Sequence, residues 1–301
     1  MKKQKIIFKK PQLEDKEIIT KYLKSENHRN CEFVFSNLYL WSREVYPVEY
    51  AIIEDTLCFL SKSEKYSVTF PMGNGDKKKV IELLKSQWEQ EGRELSMYLV
   101  TPEQFQFLEN IYGDKVKIQY DRDSADYIYE TEKLTNLSGK KYHGKKNHIN
   151  RFLANHEFWA YESINDENVE ECIAMAKEWG KLNECDTDDH KKAELKVAME
   201  ALDMRKELDL KGGLLRTKEG VIGFTLGTEA SEDTFVVNIE KAFAHIQGAY
   251  PLLNRVFAKA EASSYTYINR EEDAGVEGLR KAKLSYHPAF LIEKGNVIFE
   301  K

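Results

Sequence analysis

The sequence predicts an α+β fold of two consecutive units, each a mixed, mostly antiparallel sheet flanked by helices. Three observations carry that reading. The order of three strands, a glycine-containing loop, a helix, a strand, a helix and a closing strand occurs twice along the chain. Helices of the second half have clean apolar stripes at i, i+3, i+4 and i+7. Finally, 301 residues of which 42% are hydrophobic and 12% aromatic suffice for two ordinary domains with packed cores.

Taken in order, Pro11 precedes a helix over 12–24 that puts Leu13, Ile18, Ile19, Tyr22 and Leu23 on one side. An aromatic helical segment over 33–46 comes next. Runs of β-prone residues at 48–53, 57–60 and 66–70, separated by charged turns, read as an antiparallel meander. After the loop Pro71-Met-Gly-Asn-Gly75, Asp76 is placed to cap a helix that ends near Gly92. A strand over 95–100 leads to a helix opened by Thr101-Pro102, with Gln104 where a capping box needs it and Gly113 as its stop. Strands over 116–120 and 127–129 close the first unit.

The second unit opens with helices over 166–181 and 190–205, followed by strands over 214–217, 221–227 and 234–240. A glycine loop, a Pro-started helix over 251–262, a strand over 265–269, a short helix over 276–283 and a final strand pair around Phe290 and Val297 complete it. The division is therefore 1–135 for an N-terminal unit, 136–160 for a basic connecting helix and 161–301 for a C-terminal unit.

Composition excludes several classes. The longest apolar runs are far below the roughly 20 residues that cross a bilayer, and the opening MKKQKIIFKK returns to lysine after three apolar residues, so neither a signal peptide nor a membrane span is expected. Cys31, Cys58, Cys172 and Cys185 lack CxxC pairing and read as buried thiols of a cytoplasmic protein. A net charge of −6 argues against sequence-specific DNA binding. The histidines are scattered, and no metal constellation is expected. One segment departs from the acidic whole: 133–156 holds five lysines, one arginine, three histidines and no acidic residue. Helical spacing there docks Tyr142, Ile149, Phe152 and Leu153 and leaves Lys141, Lys145, Lys146 and Arg151 available to a polyanion, or as a solvated basic face.

A meander whose last strand runs through a glycine loop into a helix N-terminus leaves backbone N–H groups aimed at the loop, which makes an anion site. In the C-terminal unit that loop is His245-Ile-Gln-Gly-Ala-Tyr-Pro251. This order and loop resemble the GNAT superfamily of N-acyltransferases, whose Gln/Arg-x-x-Gly-x-Gly/Ala loop holds the pyrophosphate of acyl-CoA. Gln247, Gly248 and Ala249 fall in its place, and Tyr250 and Pro251 replace the later glycines. The tail from Tyr267 to Pro288, YINREEDAGVEGLRKAKLSYHP, together with Gly139 to Phe152, GKKYHGKKNHINRF, resembles a bacterial family related to the C-terminal catalytic domain of phosphatidylglycerol lysyltransferases. Members are tandem GNAT-like folds. The resemblance implies an acyl or aminoacyl transferase that uses acyl-CoA or aminoacyl-tRNA as donor, with no permanently bound cofactor. The acceptor would be a small-molecule, peptide or lipid-headgroup amine, or a hydroxyl. A non-catalytic GNAT-fold module that binds a nucleotide, acyl-CoA or a protein is the alternative.

Direct acyl transfer needs a base, donors for the oxyanion and an acid for the leaving group. Glu240, at the end of the central strand, is the expected base, with Asp273 and Glu271 as rivals. Tyr286 occupies the place of the GNAT leaving-group acid. Gln247, Gly248, Ala249, Tyr250, Arg280 and Lys283 are the expected donor-binding set; Arg280 and Lys283, three apart, share a helix face on which they could grip phosphate or pair with Glu271, Glu272 and Asp273. Asn269, Arg270, Lys141, Lys145, Lys146 and Arg151 are the expected substrate-binding set. In the N-terminal unit Asp76 would repel an anion from the loop at Gly73-Asn-Gly75, so that unit is expected to be structural.

Overall fold

The helices of the first unit begin where their caps dictate. A single 3-10 turn over Leu13–Asp15 runs into α1 (Lys16–Ser25), which buries Ile19, Tyr22 and Leu23, and α2 (Phe35–Glu44) follows. Strands β1 (Val48–Ile53) and β2 (Thr56–Ser61) form a hairpin whose turn residues Glu54 and Asp55 both have positive φ, matching the right-handed twist of the pair. In this computed structural model, which describes residues 5–62 and 66–300, the expected third strand shrinks to β3 (Ser67–Val68), and a two-residue β4 (Met72–Gly73) pairs back on β2. The first four residues of the lysine-rich opening lie outside the described residues.

Asp76 caps α3 (Lys77–Gln90) by accepting a hydrogen bond from the Lys79 amide, and Glu26 accepts the Gly73 amide at 2.7 Å. The N-terminal glycine loop is thus filled by a carboxylate of its own unit. After β5 (Ser96–Val100), the Thr101–Gln104 capping box forms in full at the start of α4 (Pro102–Tyr112), and β6 (Val116–Tyr120) follows.

Here the chain departs from the expected division. The next strand, β7 (Asp126–Glu130), does not close the first unit; it pairs with strands of the second sheet. The reason is its burial. Tyr127, Ile128 and Tyr129 are all buried, so the strand needs cover on both faces and an interior place in a sheet. Then come α5 (Thr131–Asn136), the basic helix α6 (His143–Asn155), β8 (Trp159–Ser163), α7 (Val169–Leu182) and α8 (Asp189–Asp203).

Strands β9 (Lys211–Thr217), β10 (Gly220–Ser231) and β11 (Thr234–Ala242) form the second meander. They lead to α9 (Ala249–Glu261), β12 (Tyr267–Asn269) and α10 (Glu277–Leu284). The last two strands do not both complete the second unit as expected: β13 (Phe290–Ile292) adds to β7, whereas β14 (Gly295–Phe299) returns to the first sheet between β5 and β6. Each sheet has seven strands, ordered β1-β2-β3-β5-β14-β6 with β4 on β2, and β13-β7-β12-β11-β10-β9-β8. Two strands therefore cross the boundary placed at 135.

The two units share one apolar core. Ile19, Phe35 and Leu57 of the first pack in the same cluster as Ala176, Leu202 and Phe224 of the second. All four cysteines are buried free thiols. Among the described residues no helix is long and apolar enough to cross a membrane.

One irregularity of the second sheet positions everything that follows. Strands β11 and β12 run parallel but pair only from Thr234↔Tyr267 to Val236↔Asn269. Beyond that point β11 bulges at Asn238, where Leu226↔Ile239 is followed by Gly227↔Val237. The carboxyl ends of two parallel strands separate there, the arrangement in which open sheets place ligands.

Candidate functional site

Glu240 and Arg270 face each other across this opening, one from each strand end. A guanidinium nitrogen of Arg270 donates to Glu240 Oε1 at 2.8 Å, and Asn254 Nδ2 of α9 donates to Oε2 at 3.1 Å. Their side chains are 11% and 12% exposed, so water screens the pair little. Burial is the largest influence on the Arg270 pKa and works to lower it, but the Glu240 carboxylate together with Tyr286 and Tyr129 outweighs it and holds the guanidinium above its usual value. Two atoms beside this pair are buried without partners, Arg270 Nη1 and Asn254 Oδ1. Such orphans are costly in a packed interior and mark places where a ligand completes the bonding.

Aromatic rings form the floor. Arg270 lies 4.8 Å from the centroid of Tyr286, and Lys145 Nζ lies 3.9 Å from the same ring. Burial pushes the Tyr286 hydroxyl up to about 12 against the opposing pull of Arg270. Lys145, on α6, is half-buried and forms no ion pair among the described residues, and burial, then Arg270, lowers its ammonium to about 8 against the opposing pull of Glu240. The basic segment thus sends one lysine inward. Lys140, Lys141 and Arg151 remain exposed, Lys146 is half-buried, and none has an ion pair among the described residues.

The other expected residues have different tasks. Asp273 is fully buried and accepts from Tyr127 Oη at 2.5 Å, Arg280 Nε at 2.9 Å, Arg122 at 3.3 Å and the Gly275 amide at 3.0 Å. Arg280 above all holds it well below the usual carboxylate range, so it is no base. Arg280, bound to Asp273 and Asp123, is likewise committed. The Lys283 ammonium donates to the carbonyls of Arg270, Glu271 and Glu272, and closes the loop after β12 instead of gripping phosphate. Asn269 is buried, donating to the Arg29 carbonyl at 2.7 Å and Asp126 at 2.9 Å. Sequence reasoning took these for ligand groups because charged residues three apart on a short helix look alike whether they meet a substrate or a folded-back loop.

The glycine loop departs from expectation too. Helix α9 starts at Ala249, so Pro251 stands at its third position, where its missing N–H still costs no helical bond. Gly248 has φ +89, and a Cβ there would lie 2.2 Å from the His148 carbonyl oxygen of α6. The close approach that the glycine permits is made by the connecting helix. Gln247 is exposed and meets His148 Nδ1 at 3.5 Å, while the Tyr250 ring turns inward beside Trp179 and the Ala242 backbone. Gly248→Ala is expected to cost ~1–3 kcal/mol, from backbone strain and the displaced helix, and to lower the melting temperature by several degrees. An unchanged melt would mean that α6 does not close on the loop.

A second polar cluster was missed altogether. Cys31, Glu32, Asp126 and Glu272 bring potential ligand atoms within 4.8 Å of one another, although no metal constellation was expected. Its cation is already present: the fully buried Lys294 donates to Glu32 at 2.5 Å and Asp126 at 2.8 Å. Cys31, Asp126 and Lys294 lie 95 and 168 residues apart in sequence, and no spacing announces them. Asn254, inside the apolar stripe of α9, was missed for the opposite reason, since it reads as a weak core position.

The family model described as phosphatidylglycerol lysyltransferase, C-terminal, matches residues 24–294. A solved protein of unknown function from Bacteroides thetaiotaomicron is 37% identical, covers 98% of this chain and 100% of its own, and superposes with a TM-score of 0.92. L-PGS from Bacillus licheniformis shares the fold at 16% identity and a TM-score of 0.65, covering 99% of this chain and 94% of its own. An uncharacterised protein of Mycoplasmoides gallisepticum is 25% identical over 251 residues, 81% of this chain and 77% of its own.

Proposed function

We propose, from the premise that this chain belongs to the phosphatidylglycerol lysyltransferase C-terminal family, that it transfers an aminoacyl group from an ester donor of the aminoacyl-tRNA type to an amine or hydroxyl acceptor. The observation that carries this reading is the convergence of Arg270, Lys145 and Tyr286 at the separated ends of β11 and β12, with Arg270 Nη1 left unpartnered.

Roles follow from the bonding of each group. Both Glu240 oxygens accept hydrogen bonds, so Glu240 orients and charges Arg270 and the base is another group. Lys145, tuned to about 8, takes the proton of the attacking amine or hydroxyl. Arg270 Nη1–H donates to the carbonyl oxygen as it becomes an oxyanion. The ester C–O bond then breaks, and Tyr286 gives its proton to the departing oxygen. Lys145, packed on the Tyr286 ring, returns a proton to it, so no covalent enzyme intermediate is needed.

Donor preference rests on two points. A phenol held near 12 matches an alkoxide leaving group, whereas a thiolate, whose conjugate thiol has a pKa near 8.5, departs without such help. In addition, Gly248 sits against the His148 carbonyl, which leaves little room for a pyrophosphate, while Lys141, Lys146 and Arg151 are free to meet a phosphate backbone.

The test compares total tRNA charged with labelled amino acids against labelled acetyl-CoA, following loss of the acyl label with the purified protein. Acceleration of ester loss is expected, with Tyr286→Phe slower by about a hundredfold. Turnover of acetyl-CoA alone would reverse the donor assignment. Tight tRNA binding without turnover would leave a non-catalytic binding module.

A further inference from the structure

The buried face of α9 carries one polar side chain. Asn254 is 2% exposed and stands among Leu252, Leu253, Phe257 and Ala258, all buried. Among the described residues its side chain makes one hydrogen bond, from Nδ2 to Glu240 Oε2 at 3.1 Å, and its Oδ1 is buried without a partner. An amide with an unmatched polar atom in a core is costly, whereas a leucine of similar volume carries no such penalty. The packing of α9 therefore gives no reason for an asparagine at this position.

Its one bond supplies the reason. The Glu240 carboxylate has two oxygens and two donors: Arg270 holds Oε1 at 2.8 Å, and Asn254 holds Oε2. The last torsion of a glutamate side chain is broad, so a carboxylate held at one oxygen alone is free to turn. The guanidinium paired with it then loses its fixed direction. Arg270 Nη1, which has no partner, is the donor assigned above to the developing oxyanion, and such donors act because they are aimed before the reaction. Burial beside Glu240 is not by itself enough to supply that aim. Thr225 stands directly opposite Glu240 in the β10–β11 register and is fully buried, yet its hydroxyl has no partner. Helix α9 also meets the other half of the site, because Gly248 at its N-cap lies against His148 of α6, the helix that carries Lys145.

Resting on the transferase reading, we infer that Asn254 is a positioning residue: it fixes Glu240, and through Glu240 the direction of Arg270 Nη1, at a cost in stability. One helix thereby braces both the arginine and the segment bearing the lysine. Because the aim of an oxyanion donor is felt in the transition state and not in the bound substrate, the contribution falls on kcat and spares KM.

Asn254→Leu tests this, with Thr225→Val as a control at an equally buried polar position. Thr225→Val is expected to melt at or above the parent temperature and Asn254→Leu within a few degrees of it, since each removes an unpartnered polar atom. With charged tRNA as donor, Asn254→Leu is expected to lower kcat by about tenfold to a hundredfold and to keep KM within about twofold, while Thr225→Val changes neither. A second readout needs no turnover. In magnetic resonance spectra of the full chain with labelled arginine, the Arg270 guanidinium signal, identified by its loss in Arg270→Lys, is expected to exchange its protons with water at least about tenfold faster in Asn254→Leu. An unchanged kcat, an unchanged Arg270 signal in a folded Asn254→Leu protein, or a kcat that falls only in step with the folded fraction would overturn the inference. A parent chain without transferase activity removes the kinetic readout and leaves the spectral one, so the two readings fail separately.

Discussion

Replacing the buried Lys294 by methionine is expected to cost the fold about 3–5 kcal/mol. Lys294 is 1% exposed and its ammonium joins Glu32 of the first unit to Asp126, the first residue of β7. It stands immediately before β14, the strand that crosses back to the first sheet. Methionine fills the space but leaves two carboxylates without their cation. Those carboxylates then bind protons more readily in the folded chain than in the unfolded one, so the variant should lose stability as pH rises above the unfolded carboxylate value of about 4. Chemical denaturation at pH 5 and pH 8 checks both size and sign: the deficit should be smaller at pH 5, and adding Asp126→Asn should recover part of it. A variant as stable as the parent at pH 8 would show that the buried lysine is not needed to hold the units together.

Lys145→Met is expected to lower the transfer rate by a factor on the order of 10²–10⁴ with little change in melting temperature. The pH profile separates roles that a rate alone cannot. As the base, Lys145 must be neutral, so the parent rate should rise with pH toward about 8 and level off above it. A lysine that only binds an anion must be charged, and the rate would then fall over the same range. Lys145→Arg keeps the charge without the titration, and should be nearly as slow as Lys145→Met if proton transfer is its task. Recovery of activity in the arginine variant would transfer Lys145 to the binding set.

Much of the fold was legible because its signals are local. The Asp76 cap, the Thr101–Gln104 capping box and the apolar stripes of α7 and α8 are written within a few residues, and the structure forms them where expected. Strand existence was equally readable for β1, β2, β6 and β7. Partner choice was not, since alternation says that one face is buried but not against which sheet.

The site divides in the same way. Sequence by itself brought Glu240, Arg270 and Tyr286 to one end of the C-terminal unit, through element order and the tail motif, and it marked 140–153 as basic. Only the tertiary structure decided which of those cations work. It turned Lys145 inward onto Tyr286 and left Lys141 and Arg151 outside. It spent Arg280 on Asp273 and Lys283 on three carbonyls, and it assembled Glu32, Asp126 and Lys294 from distant segments. The physical reason is that a charge acquires its role from burial and from its nearest opposite partner, both of which are distances in space that sequence separation does not record.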